Sequence, residues 1–320
     1  MDAPALFGPY GSQALQQAER LADHGCNAVW FHGFDERAFE ACRKHGLAPC
    51  VEFKTFRANY DEHPELVPIG ADGQPLRRGR LFQGVCLSQA EFVERIAADL
   101  LQGVRRFGPV GIWLDYLTYG GWFEVPEPDL QESCFCPGCI AEFCQATGLD
   151  ATTPQAILDN HAEAWARHKC QRIAGYAAQY AAIIRRHLPD CLIGAYMCPW
   201  TPAEFDGALR RIFAQDYALL APHIDVFTPL IYAAKSGRAP EWAAEYLTAS
   251  AAWVPAGRRV QLILDALDFP ASLEAAAASP VPSWGLQMFG GATLFGDRDQ
   301  ARLWAGAVHQ IRSTLERNQP

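Results

Sequence analysis

The chain has little positive charge. Its 27 Lys and Arg face 36 Asp and Glu, for a net charge of −9. A surface built to bind polyanions is therefore excluded, and no nucleic-acid partner is expected. The nearest basic run, Arg77-Arg78-Gly79-Arg80, is short and reads as a solvated loop. No stretch approaches the roughly 20 apolar residues of a membrane span, so no membrane partner is expected. The N-terminus has no basic segment followed by an apolar one, so no signal peptide is read and a cytoplasmic location is expected. Low-complexity tracts, sequence repeats and a clear domain break are also lacking. Eleven cysteines is an odd number, and Cys50, Cys191 and Cys198 lie within apolar runs. That pattern points to reduced, buried thiols and argues against a disulfide scaffold. Nothing calls for an organic cofactor, and a homo-oligomer is left open.

What is present is a large supply of core. Half of the 320 residues are hydrophobic and 20% are charged, which excludes global disorder. Strand-like apolar runs at 6–10, 28–34, 48–56, 110–119, 191–200, 225–232, 259–267 and 292–296 alternate with stretches of helical periodicity. Eight strands, each followed by a helix, predict an α/β fold, a (β/α)8 TIM barrel. The expected organisation is a single domain over 1–320 with a cysteine-rich loop insertion around 120–145. Two connections are long, 57–84 after the third strand and 120–133 after the fourth. Both emerge at the carboxyl face, where loops shape a pocket. The stretch 137–188 predicts two helices broken near 147–154, with Thr152 or Thr153 capping before Pro154.

Side chains alternate along a strand. If Ile112 and Leu114 face the helices, Trp113 and Asp115 face the barrel axis. Asp115 then stands at the top of the fourth strand beside Tyr116, where such barrels carry their chemistry. Glu52 and Lys54 point inward near the end of the third strand, and Asp265 does so at the end of the seventh. His32 ends the second strand, Tyr232 the sixth, and Asp297 lies just past the expected eighth. Glycosidic cleavage takes two carboxyl groups flanking the bond. Asp115 with either Asp265 or Glu52 supplies such a pair, and strand ends alone leave the choice open. The structural alternatives are helix capping by Asp115 and a neutralising Glu52–Lys54 pair. Trp30, Trp122, Phe123, Trp200 and Tyr232 are expected at the same face, where aromatic rings stack on sugars, although each also suits core packing. His32, Lys54, Tyr116, Trp122, Trp200 and Tyr232 are thus the candidate substrate-binding residues.

Nineteen residues after Asp115 comes Cys134-Phe135-Cys136-Pro137-Gly138-Cys139. Three cysteines within six residues have the spacing of metal ligands, and tetrahedral zinc takes a fourth. Cys86, after the third strand, suits that place better than Cys144, which falls on the following helix. Four thiolates leave no open position for water, so the expected zinc is structural. The order of His161-Ala162-Glu163 after the cysteines excludes the zinc-deaminase pattern.

The cysteine segment resembles that of glycoside hydrolase family 42 β-galactosidases. There, three clustered cysteines and a fourth some forty-odd residues upstream bind structural zinc; Cys86 stands 48 residues before Cys134. The runs Gly111-Ile-Trp-Leu-Asp115-Tyr-Leu-Thr-Tyr119 and Asp225-Val-Phe-Thr-Pro-Leu-Ile-Tyr232 are similar to strands four and six of uncharacterised glycosyl hydrolase-like groups. The resemblance implies a barrel glycosidase acting on a carbohydrate, with Asp115 as nucleophile or acid. Family 42 carries glutamates on strands four and seven, the first after Asn, where this chain has Asp115 and Asp265. The β-galactosidase activity is therefore not carried over. Thr118 replaces an Arg of the strand-four pattern. The rival readings are a non-catalytic carbohydrate-binding barrel and a barrel lyase or isomerase using Lys54 or His32 with Glu52. A phosphate site after the last strands has weak support, because Gly290-Gly291 falls before the expected eighth strand.

Overall fold

A computed structural model describes residues 3–76 and 84–318. The basic run Arg77–Arg80 lies outside the described residues. Eight parallel staves close into a barrel: β1 Phe7–Tyr10, β2 Ala28–His32, β3 Ala48–Lys54, β4 Gly111–Asp115, β5 Leu192–Met197, β6 Val226–Ile231, β7 and β8. β7 consists of two segments, Arg259–Val260 and Leu262–Asp265, both paired with β6, and β8 is Leu286–Phe289. Each stave pairs with its sequence neighbours, and β8 pairs with β1 to close the ring.

The inward–outward parity holds. Ile112 and Leu114 join the outer core between strands and helices, whereas Trp113 joins Leu6, Trp30, Cys50, Tyr196 and Ile263 in the barrel interior. Two tryptophans dominate that interior: Trp30 and Trp113 are fully buried and meet edge to face at 5.4 Å. Trp30 therefore lies within the barrel and not at its mouth. Glycine makes room for Trp113. A Cβ on Gly194 of β5 would lie 2.4 Å from the Trp113 indole nitrogen. That nitrogen donates to Thr228 Oγ1 at 2.7 Å, which satisfies its one buried donor.

The helices are α1 Ala18–Asp23, α2 Glu36–Lys44, α3 Ala90–Arg106, α4 Pro137–Thr147, α5 Pro154–Asn160, α6 Ala162–His187, α7 Ala208–Arg211, α8 Tyr217–Leu220, α9 Trp242–Ser250, α10 Ala271–Ala278 and α11 Arg298–Arg317. α3 shows why they form where they do. Phe92, Val93, Ile96, Ala97, Leu100 and Val104 recur at helical spacing and are buried, while Glu94 and Arg95 stay outside. The expected break before Pro154 is present, with Thr153 Oγ1 accepting from Ala156 N at 3.2 Å. A second break at His161 makes three helices where two were expected. The His161 N–H closes α5 on Ile157 O, and its carbonyl opens α6 by accepting from Trp165 N.

The eighth strand is a correction. Residues 292–296 hold a 3₁₀ turn, Leu294–Gly296, with Leu294 and Phe295 packed into the core. The true stave, Leu286–Phe289, carries a polar Gln287, which reads poorly as strand. Inside the barrel, Gln287 accepts from Tyr196 Oη and donates to Gln261 Oε1, both at 2.8 Å. Gly290-Gly291 consequently follows the last strand, at the carboxyl face. Asp297 caps α11, accepting from Asp299 N and Gln300 N. No helix among the described residues is long and apolar enough to cross a membrane.

Candidate active site

A cavity of about 260 Å³ opens at the carboxyl end of the barrel. Tyr10, Glu52, Lys54, Asp115, Tyr196, Leu230, Tyr232, Ile263 and Phe289 contribute from the strands or their ends, and Tyr116, Thr118 and Gly121 to Glu124 from the connection after β4. The backbone of Asp115 is clamped by Thr55, whose N–H and Oγ1 both donate to its carbonyl, at 2.9 and 2.8 Å. The next residue, Tyr116, takes a left-handed φ of 55° and ends the strand. Its N–H donates to Asp115 Oδ1 at 2.9 Å.

Asp115 and Glu52 top adjacent staves, with Lys54 in register with Asp115, and their carboxyl groups share a hydrogen bond. Their environments push them apart. Burial, and then the charge of Glu52, raises Asp115 well above the carboxylate range. Glu52 is 3% exposed, and burial pushes it up as well. Hydrogen bonds with His32, Asp115 and Tyr10, together with the Lys54 charge, outweigh that and hold it at about 2. Tyr10 Oη donates to Glu52 Oε2, His32 Nδ1 lies 3.4 Å from the same oxygen, and Lys54 Nζ lies 3.8 Å from Oε1. The two shifts run in opposite directions, so that of the pair Asp115 is the carboxyl whose protonated form is favoured.

The other candidate partner lies elsewhere. Asp265 is buried at the end of β7 but does not line the cavity. Its Oδ1 accepts from Leu267 N at 2.9 Å, and Lys235 Nζ lies 2.7 Å from Oδ2. Lys235 also reaches Glu124 Oε2 at 3.4 Å and sits over the rings of Tyr232 and Phe289. Burial raises Glu124, and Lys235 opposes that rise.

Among the candidate binding residues, Lys54, Tyr116, Trp122 and Tyr232 line the cavity. His32 stands at the rim with its side chain 61% exposed. Trp200 does not reach the cavity. It is buried against Phe205 and Phe213 because the chain turns inward after β5. Tyr10, Glu124, Lys235 and Phe289 escaped the sequence reading. The strand-end rule reaches Tyr10, since Leu6 of the same parity faces inward. Phe289 was lost with the misplaced eighth strand, and an irregular loop gives Glu124 no periodicity.

Beside the cavity, the thiols of Cys86, Cys134, Cys136 and Cys139 lie within 4.8 Å of one another. Zinc–sulfur bonds of about 2.3 Å in a tetrahedron imply sulfur–sulfur edges of about 3.8 Å. Cys86 Sγ lies 3.5 Å from Cys136 Sγ and 3.9 Å from Cys139 Sγ. Donors already point at the sulfurs: Ile69 N to Cys134 at 3.3 Å, Cys139 N to Cys136 at 3.4 Å and Arg172 Nη1 to Cys139 at 3.9 Å. Converging thiols served by donors fit a metal ion. Cys144 is not part of the group; its thiol donates to Ala151 O. All eleven cysteines are free thiols.

No family model and no curated protein matches the sequence. Solved structures do match the fold, and these neighbours are glycoside hydrolases. The glycoside hydrolase domain of PgaB (BpsB) from Bordetella bronchiseptica superposes with a TM-score of 0.73 at 12% identity, covering 94% of this chain and 98% of that one. A catalytic mutant of Gan42B, a GH42 β-galactosidase from G. stearothermophilus, gives 0.67 at 14% identity, covering 100% of this chain. The β-galactosidase of the Antarctic haloarchaeon Halorubrum lacusprofundi gives 0.61 at 14%, covering 97%. This chain spans 58% of the length of either galactosidase. At such identities the likeness is one of fold, a (β/α)8 barrel.

Proposed function

We propose that this protein is a glycoside hydrolase that cleaves a carbohydrate in the cavity above β3 and β4, with Asp115 as proton donor. One observation carries the reading. Within an aromatic-lined cavity at the carboxyl face, Asp115 tops the stave beside Glu52, and burial and the Glu52 charge favour its protonated form. A carboxyl group protonated near neutral pH is what protonation of a leaving oxygen requires. Glu52 serves as the negative neighbour that keeps Asp115 protonated. Its own position is fixed by Tyr10, His32 and Lys54. Trp122, Phe123 and Tyr232 offer ring faces to a sugar, and Lys54 and Tyr116 offer polar contacts.

The domain is read as one barrel with the cysteine-bearing connection as an insertion. Its four thiolates would hold a structural zinc ion. When bound, that ion supplies a cross-link between the connections after β3 and β4. Four sulfur ligands fill a tetrahedral site, so reacting groups come from the cavity alone.

The test is release of the aglycone from 4-methylumbelliferyl and 2,4-dinitrophenyl glycosides of the common pyranoses in both anomers. Asp115→Asn should lower turnover of the methylumbelliferyl substrate by about 10²–10⁴-fold, the usual weight of acid catalysis. Full activity in that variant would sink the assignment.

A further inference from the structure

We propose that Glu124 is the second reacting carboxylate of the cavity, a general base that activates water on the face of the sugar opposite Asp115. The inference rests on the hydrolase reading above and adds a residue to it. Displacement at an anomeric carbon brings the attacking oxygen in on the side away from the leaving oxygen, so the two carboxyl groups must flank the bond. Glu52 does not meet this condition. It tops the stave next to Asp115 and is hydrogen-bonded to it, so both lie on one side of the mouth. Asp265 does not meet it either, being turned to Lys235 and Leu267 N and absent from the cavity wall.

Glu124 meets it. The connection after β4 recrosses the mouth, held by Ser236 Oγ donating to Phe123 O at 3.4 Å. It delivers Glu124 to Lys235, which follows β6. Lys235 lies 2.7 Å from Asp265 of β7 and 4.7 Å from the ring centre of Phe289 of β8. In the closed ring those two staves stand three and four places from β4. Glu124 thus lines the cavity from the wall opposite the Glu52–Asp115 pair. The cavity that these groups line, about 260 Å³ in all, accommodates a sugar ring. An open gap suits the wider carboxyl spacing of single displacement, about 6.5–9.5 Å, which leaves room for water. Burial raises the Glu124 carboxyl, the lysine beside it works toward the ionised form that a base needs, and Asp265 in turn holds the lysine.

In the step, Glu124 takes a proton from water. The water oxygen bonds to the anomeric carbon as the bond to the leaving oxygen breaks, and Asp115 gives its proton to that oxygen. Two hydroxyl products result. Glu124 is left protonated and Asp115 ionised, and exchange with solvent restores both.

The experiment uses the full chain and a 2,4-dinitrophenyl glycoside that the unaltered protein hydrolyses. That leaving group needs no acid, so Asp115→Asn should regain most of its turnover. Glu124→Ala should remain about 10²–10⁴-fold slow, because the base is still missing. Added azide should restore Glu124→Ala at least about tenfold and yield a glycosyl azide of inverted configuration, which a residue of purely structural role does not give. Glu124→Gln, nearly isosteric, should be equally slow with an unchanged melting curve. Turnover of either Glu124 variant above about a tenth of the unaltered rate, absence of azide rescue in a normally folded variant, or a retained product anomer by NMR overturns the proposal. If the unaltered protein hydrolyses no glycoside, the hydrolase reading itself fails. If Asp115→Asn is impaired but Glu124→Ala is not, only the role of Glu124 fails.

Discussion

The cavity and the cysteine cluster stand side by side at one face of the barrel and are built on opposite principles. Around the thiols the protein converges. Four sulfurs within 4.8 Å are served by backbone amides, Ser88 and Arg172 and sealed by Phe135, Phe143 and Trp165. In the cavity it keeps groups apart. Glu52, Asp115 and Glu124 line an open, ring-lined space, and Lys235 ties Glu124 to Asp265 behind it. The first arrangement suits the permanent binding of one ion. The second raises a carboxyl well above its ordinary range, and such perturbation belongs where a proton must move. Arg172 ties the cluster to the connections after β3 and β4. Its Nη1 bonds Tyr119 Oη at 3.1 Å and points at Cys139 Sγ, and its Nη2 donates to Leu87 O at 2.8 Å.

This contrast can be broken by experiment, beginning where the effect should be greatest. Cys134→Ser removes one ligand, and metal per chain measured by plasma mass spectrometry should fall from one toward zero. A site held at a hundredfold excess over its Kd contributes about 2.7 kcal/mol, and melting should drop accordingly. An unchanged metal content would disprove the four-thiolate site. Arg172→Met removes the cation beside the cluster but no ligand. Metal affinity in chelator competition should weaken by about 10–100-fold, the range for groups supporting a ligand. An unchanged affinity would confine Arg172 to bracing Tyr119.

Two further tests sharpen the cavity side. As the proposed acid, Asp115 must be protonated to act, so activity should be lost as pH rises through its raised pKa. Glu52→Gln removes the negative neighbour, which lowers the Asp115 pKa. The alkaline limb of the pH–rate profile should therefore move toward acid. A limb that stays in place, or moves upward, would refute the coupling. The smallest effect belongs to Trp122→Ala. Ring stacking contributes about 0.5–1.5 kcal/mol, so KM should rise by about 2–13-fold with kcat little changed. A fall in kcat with KM intact would instead give Trp122 a part in the transition state.

Much of this was legible in the sequence because the governing rule is local. Strand alternation alone put Trp113, Asp115, Glu52 and Lys54 on the inside, and the β3–β4 register brings their ends together. Its place after the third strand nominated Cys86, the family resemblance agreed with its 48-residue spacing, and its thiol meets the other three. The eighth strand was hidden because Gln287 is polar, and only its partners Tyr196 and Gln261, from other staves, make it acceptable inside. Trp200 looked like a pocket lip because sequence shows where a strand ends and not which way the chain then turns.

Composition and periodicity thus determined the barrel, its inward residues and the thiol group, since each depends on spacing along the chain. Tertiary structure alone decided which carboxyl is pushed up and which down, that Asp265 turns to Lys235, and that Glu124 joins the cavity wall beside Lys235. Those outcomes depend on burial and on charges brought together from distant segments, and no local spacing encodes them.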